Sequence, residues 1–224
     1  MSWDSTWRGL GQPRPLLEPS IYDEHVWSLQ TARPLPLPVV DSALLNTLRG
    51  RRSARQFGRL SEEDLAALLW SVAACKESVD SPMGFPLERR GVPSAGAIHP
   101  IHILVCDSYS RTLSRYDGLS HTLQRLDVLA PVDLLAMLGE ILPMQDGTLL
   151  LFVAEPGKTD AKYADPVSLV LRDAGVLQGA MAIAAEALGL NFCLLGATGD
   201  PWIAALSDEG KLRGVGAALV GSRT

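Results

Sequence analysis

The sequence predicts an α+β layered domain rather than a doubly wound parallel sheet. Three observations carry that expectation. Helical and strand patterns mix along the chain without a strict strand–helix alternation. The segment "TLSRYDGLSHTLQRLD" alternates polar and apolar residues around Asp117-Gly118, the signature of a hairpin. Gly-x-Gly at 214–216 lies inside an apolar run near the C-terminus with no helix after it, so it is not a dinucleotide-binding fingerprint.

The elements follow in order. Residues 1–40 are proline-rich ("QPRPLL", "ARPLPLPVV") and read as an extended arm. Trp3, Trp7, Tyr22 and Trp27 would dock it on a surface, and residues 41–224 would form the domain. From Asp41, "DSALLNTLRG" reads as a short helix with an acidic cap and Leu44, Leu45 and Leu48 on one face. "SEEDLAALLWSVAA" opens on a capping-box pattern, Ser61 to Asp64, and continues as an amphipathic helix. A loop over about 76–93 leads to a strand at 101–106, and the hairpin follows. "PVDLLAMLGEIL" is a helix with Pro131 at its start. "TLLLFVAE" is a buried strand by its continuous apolar run. A long helix spans roughly 167–188, and "GVGAALVG" is a last strand.

In the long helix, Gly175, Gly179, Ala180 and Ala184 recur roughly one turn apart. Each mid-helix glycine costs about 1 kcal/mol relative to alanine, so a backbone packed close must offset it. That neighbour is either the same helix of a second subunit or another part of this chain.

Composition narrows the function classes. A chain of 224 residues, 47% hydrophobic and 20% charged, describes an ordinary globular protein of one large domain or two small ones. The net charge of -5 offers no electrostatic footprint for nucleic acid or an anionic membrane. No stretch reaches the roughly 18 uninterrupted apolar residues of a membrane helix. The N-terminus lacks a basic-then-apolar export signal. Cys75, Cys106 and Cys193 are too few and too scattered for a disulfide framework or a zinc site, so a reducing cytoplasm is the expected setting.

No carboxylate pair, Gly-x-Ser-x-Gly elbow, HExxH or Walker loop stands out. His99 and His102, three apart on an extended segment, would face opposite ways and make poor metal co-ligands. His25 and His121 read as solvated. "RGRRSARQF", residues 49–57, is more specific. It is either a solvated basic face or, with Arg51, Ser53 and Arg55 projecting to one side, a set of guanidinium forks and a hydroxyl suited to a phosphate monoester. "ERRGVPSAGAIHPIHILVCD", residues 88–107, sheds its side chains just before a buried strand. Such a stretch is a tight turn, or a place where backbone must approach something flat and large.

"RRSARQF", "PSAGAIHPIHILV", "DAGVLQGAMAIAAEALGL" and "CLLGATGDP", in this order, resemble the nitroreductase superfamily of flavin proteins. More narrowly, they resemble its SagB-type branch, dehydrogenases that oxidise thiazolines and oxazolines in ribosomal peptide natural products. The resemblance covers about residues 45–221 and includes the hairpin "SRYDGLSHTLQRL". It implies a central mixed, mainly antiparallel sheet flanked by helices, in a homodimer with FMN at the subunit interface. Arg51, Arg52, Ser53 and Arg55 would hold FMN. Pro93, Ser94, Ala95 and Gly96 would be the close-approach segment contributed across the interface. Gly196 and Ala197 would offer backbone N–H groups near the flavin N5, and Arg223 is a weaker phosphate candidate. Lys162-Tyr163 sit where the azoline dehydrogenases carry a catalytic pair: a phenol beside an ammonium, suited to serve as general base. The sequence departs from the branch in "ADPVSLVLRDAG", which lacks the usual arginine- and tyrosine-rich turn, and in Leu194, where a proline is common. It also shows neither a C-terminal clasp nor a fused peptide-handling region. The other readings are a generalist NAD(P)H-dependent nitro or quinone reductase, and a flavin-poor scaffold subunit working with peptide-maturation partners.

Overall fold

The computed structural model describes residues 42–107, 112–129, 135–136, 139, 146–200, 202–206 and 211–224. The N-terminal arm lies outside them. Of the helix expected over 131–142, only residues 135, 136 and 139 are described, and they are helical.

Two helices lead into the sheet. Helix α1 (Ala43–Gly50) follows an extended Ser42 and buries none of its residues, so its Leu44 and Leu48 stay exposed. Helix α2 (Glu62–Ala73) starts as its sequence dictates: the Ser61 hydroxyl accepts from the Asp64 N–H at 3.0 Å. It buries Leu65, Leu68, Leu69, Val72 and Ala73 along one face. The segment read as a loop over 76–93 instead contains a small hairpin, β1 (Glu77–Val79) paired antiparallel with β2 (Leu87–Arg89). Gly84, at φ +83°, lies in the connection between them, and strands of three residues leave no periodicity to read.

The main sheet has six strands in the order β5-β4-β3-β6-β8-β7, every neighbouring pair antiparallel. They are β3 (Ile101–Asp107), β4 (Thr112–Asp117), β5 (Thr122–Leu129), β6 (Thr148–Ala154), β7 (Leu190–Leu195) and β8 (Arg213–Ser222). The hairpin at Asp117-Gly118 joins β4 to β5. Strand alternation divides the core: Ile101, Ile103 and Val105 pack toward α2 and the long helix, while Leu104 and Cys106 join Phe57, Leu149, Leu151 and Ile203 on the other face. The Gly-x-Gly of β8 faces a register shift at Phe152/Val153 of β6. A Cβ on Gly214 would fall 2.3 Å from the Thr198 carbonyl oxygen, and one on Gly216 2.5 Å from the Gln178 amide nitrogen. Both glycines therefore serve close packing.

Helix α3 (Pro156–Asp160) is short, and α4 (Val167–Ala187) is the long helix. With a mean hydropathy of 1.4, α4 is long and apolar enough to cross a bilayer by composition alone. Here it lays Val170, Ala174, Leu177, Met181 and Ala185 on the sheet as a core helix. Its other side is uncovered by the described residues. Cβ atoms at Gly175 and Gly179 would meet nothing within 4 Å, and Leu171 and Val176 are exposed. Among the described residues no intrachain neighbour packs against these glycines.

Candidate active site

The side-chain-poor segment is a strained turn held by a carboxylate. Gly96 lies at φ 63°, ψ 20° inside the short 3₁₀ turn Ala95–Ala97, and Ala97 (φ 60°) and His99 (φ 48°) are left-handed as well. Such non-glycine backbone costs about 1–3 kcal/mol per residue and persists only where its surroundings over-determine it. They do so here. The Ser94 hydroxyl donates to Asp173 Oδ2 at 2.6 Å and accepts from the His99 N–H at 2.9 Å. The Ala95 N–H lies 3.2 Å from both Asp173 oxygens. Asp173 sits in the second turn of α4, so the helix itself grips the turn. The sequence reading did not single it out, although it opens the quoted "DAG".

Lys162 and Tyr163 converge on that turn. A Cβ on Gly96 would lie 2.7 Å from the Tyr163 hydroxyl and 2.8 Å from Lys162 Nζ. The ammonium is 5.7 Å from the centroid of the Tyr163 ring. Both residues are positioned by the end of α3: the Lys162 and Tyr163 N–H groups donate to the Thr159 carbonyl at 3.1 and 2.9 Å. Helix α3 is anchored in turn by the Glu155 N–H, which donates to the Pro100 carbonyl at 2.8 Å. Pro93, Ser94, Ala95, Gly96, Lys162 and Tyr163 thus form one cluster, with Asp173 added.

Beside it lies a cavity of about 500 Å³ between the β1–β2 hairpin and Pro93, Ser94, Ala97 and His99. Its buried charge is paired, with Arg90 Nε donating to Glu88 Oε2 at 2.8 Å. His99 is 8% exposed, and burial, helped by the Arg90 cation, pushes its pKa down to about 4. The imidazole is neutral at ordinary pH. Burial likewise lowers Lys158, whose ammonium stands 5.1 Å from the Phe85 ring centroid.

The arginine cluster occupies the other end of α4. Arg51, Arg52, Ser53 and Arg55 are exposed on the segment leaving α1. That segment is stitched to the sheet by Ala54 N–H to Phe192 O at 3.1 Å, and by Asn191 Nδ2 to Gln56 O at 2.7 Å. Among the described residues Arg51, Arg52 and Arg55 have no carboxylate partner, so their charge is available for an anion. Arg223 is committed otherwise: its Nη2 is 3.0 Å from Glu186 Oε2. Gly196 is exposed just after β7, and Ala197 is buried. From Asp173 to Glu186 the helix runs about 20 Å. One chain therefore holds the arginines and the Gly96 turn apart, and the cavity beside the turn has none of Arg51, Arg52 and Arg55 in its lining.

Two histidines differ from expectation or gain detail. His121 is not simply solvated; its Nδ1 is 2.7 Å from the Tyr116 hydroxyl and its ring stands edge-on to Trp70. His102 pairs with Glu155 on the sheet face away from α4. His25 lies outside the described residues.

The sequence profile of the nitroreductase family matches residues 48–208. No curated protein sequence matches the chain. Among solved structures, one described as a nitroreductase from Ralstonia eutropha aligns with a TM-score of 0.57 at 20% identity, covering 85% of this chain and 88% of that one. The E. coli microcin synthetase McbBCD complex with truncated pro-MccB17 bound aligns with a TM-score of 0.62 at 16% identity, covering 90% and 79%. A Desulfovibrio desulfuricans structure, described as a nitroreductase in complex with FMN, gives 0.54 at 20% identity over 83% and 88%. At these identities the likeness is one of fold.

Proposed function

The chain belongs to the nitroreductase family of oxidoreductases, and on that premise we propose that it is an FMN-dependent, SagB-like dehydrogenase oxidising an azoline or related centre in a peptide-derived natural product. The observation that carries this reading is the convergence of the Tyr163 hydroxyl and Lys162 ammonium on the space that Gly96 leaves clear. Aromatising an azoline removes one hydrogen as a proton and another as hydride. Bound FMN supplies the hydride acceptor. Tyr163 would take the proton from carbon, with the Lys162 ammonium beside it at 5.7 Å from the ring centroid. Arg51, Arg52, Ser53 and Arg55 would hold the phosphate, ribityl chain and pyrimidine edge, supported by the absence of a carboxylate partner for the three arginines among the described residues. The backbone of residues 93–96 would run close to the flat ring and Gly196 and Ala197 would offer it their N–H groups, while the space a Gly96 side chain would take is filled by Tyr163 and Lys162.

The split site asks for a second copy. Two chains crossing antiparallel through the open Gly175 and Gly179 side of α4 would set one chain's arginines beside its partner's Gly96 turn. The reading is therefore of a cytoplasmic homodimer, working on a peptide or small-molecule substrate with or without maturation partners. The microcin synthetase complex among the structural relatives is compatible with that setting.

A generalist NAD(P)H-dependent nitro or quinone reductase is the second reading. It is favoured by the cavity beside His99, whose half-buried Arg90–Glu88 pair is mutually compensated and offers no single charge to select a substrate. Tyr163→Phe separates the two. It should abolish the loss of two hydrogens from an azoline peptide, followed by mass spectrometry, and leave dye reduction by the flavin intact. Unchanged azoline oxidation would remove Tyr163 as the base. A colourless protein that refuses added FMN, lacking absorbance near ~450 nm, would instead mark a scaffold subunit.

A further inference from the structure

A second cavity, about 540 Å³, opens on the sheet face opposite α4 and shares no residue with the proposed flavin site. That volume suits a drug-sized ligand. Its floor follows from register. Val153 lies directly across from His102, and Arg115 directly across from Leu104, which puts His102 and Arg115 on one face as diagonal neighbours, roughly 7–8 Å apart. Leu104 and Val153 are buried between them as an apolar base.

The polar groups are fixed by their neighbours. Glu155 Oε2 lies 2.9 Å from His102 Nε2, and this hydrogen bond holds the Glu155 carboxyl below its usual range. An ionised carboxylate only accepts, so Nε2 is the donor and Nδ1 is left for another partner. Arg115 is held by Gln124, whose Oε1 accepts from Nε at 3.2 Å and from Nη2 at 2.7 Å, leaving Nη1 to donate elsewhere. The other charged groups on the described lining, Lys211 and Asp127, are of opposite sign. An imidazole nitrogen and a guanidinium N–H set across an apolar floor can meet the two sides of an amide, its N–H at His102 and its C=O at Arg115.

We propose that this cavity is a binding site for an uncharged, apolar peptide segment, recognised through a backbone amide by His102 and Arg115. The site works independently of the flavin and of Tyr163. It gives a peptide-directed protein a second hold on its ligand, on the far side of the sheet from the Gly96 turn.

The probe is acetyl-leucyl-leucine amide, titrated into the full-length protein and followed by isothermal calorimetry or ligand-observed NMR. The same dipeptide with a free C-terminal carboxylate serves as comparison. The amide should bind saturably and more tightly than the carboxylate. Arg115→Gln should weaken it about tenfold or more, the loss expected for a hydrogen bond to a charged group. Leu126→Trp, which fills the rim, should block binding, while Tyr163→Phe should leave it unchanged. Dye reduction by the flavin should survive in the Arg115 and Leu126 variants. The proposal is overturned if the amide does not bind the folded wild type, if the carboxylate binds as well or better, or if both rim variants bind like wild type.

Discussion

At Gly96 one missing methyl group decides what two other residues can do. An alanine there would need a left-handed backbone, costing about 1–2 kcal/mol. Its Cβ would also displace the Tyr163 hydroxyl and Lys162 Nζ. Because both obstructing atoms end flexible side chains, Gly96→Ala should still fold, with a urea midpoint lowered by about that cost. Azoline oxidation should fall at least tenfold. His99 makes the same turn sensitive to acid. Its folded pKa of about 4 lies below the ordinary 6.5, so the unfolded chain binds the proton first as pH drops. Its contribution is complete above about pH 6.5 and is lost as pH falls toward 4, by about 3 kcal/mol at most. Denaturant titrations at pH 7 and pH 4.5 should show that loss. It should shrink in His99→Asn, since asparagine tolerates the left-handed backbone and carries no titrating ring. The small residues of 94–97, the arginines and the Lys-Tyr pair were all legible in the sequence. Asp173 was not: a lone carboxylate on a helix announces nothing until the chain folds Ser94 and Ala95 onto it.

Among the elements, α4 carries the most information. It buries five of its residues, yet its glycines meet nothing among the described residues. Gly179→Leu should therefore leave the monomer at least as stable, since it removes a helix penalty of about 1 kcal/mol. The same change should abolish dimerisation in sedimentation experiments and lower flavin content with it; a dimer that persists would place the subunit contact elsewhere. Long, strongly patterned elements such as α2, α4, β6 and the β4–β5 hairpin could be read from periodicity and turn residues. Helix α3 and the β1–β2 hairpin could not, because elements of three to five residues are set by their neighbours. β7, "LNFCLL", went unread as a strand because it follows the long helix after only Leu188-Gly189 and merges with its apolar run.

For the whole molecule, the arrangement ties cofactor, stability and assembly together. A ligand that binds only the folded form stabilises it by about 2.7 kcal/mol at a hundredfold excess over Kd. For a chain of this length that corresponds to a rise of roughly 5–10 °C in Tm. FMN should produce that rise in a thermal scan of wild type, and Arg51→Gln with Arg55→Gln should suppress it without changing the Tm of the flavin-free protein. An equal shift in the double variant would release the arginines from their assigned role. The antiparallel order β5-β4-β3-β6-β8-β7 was foreshadowed only as a class, since strand order depends on contacts between distant segments that no local pattern reports.

Gly58 bridges Ser222, and Arg223 reaches Glu186, so the last residues are sewn to the same stretch that presents the arginines. An affinity tag fused after Thr224, or a protease trimming that end, would tug on this seam. Preparations handled in that way should emerge paler than those carrying their tag at the opposite terminus.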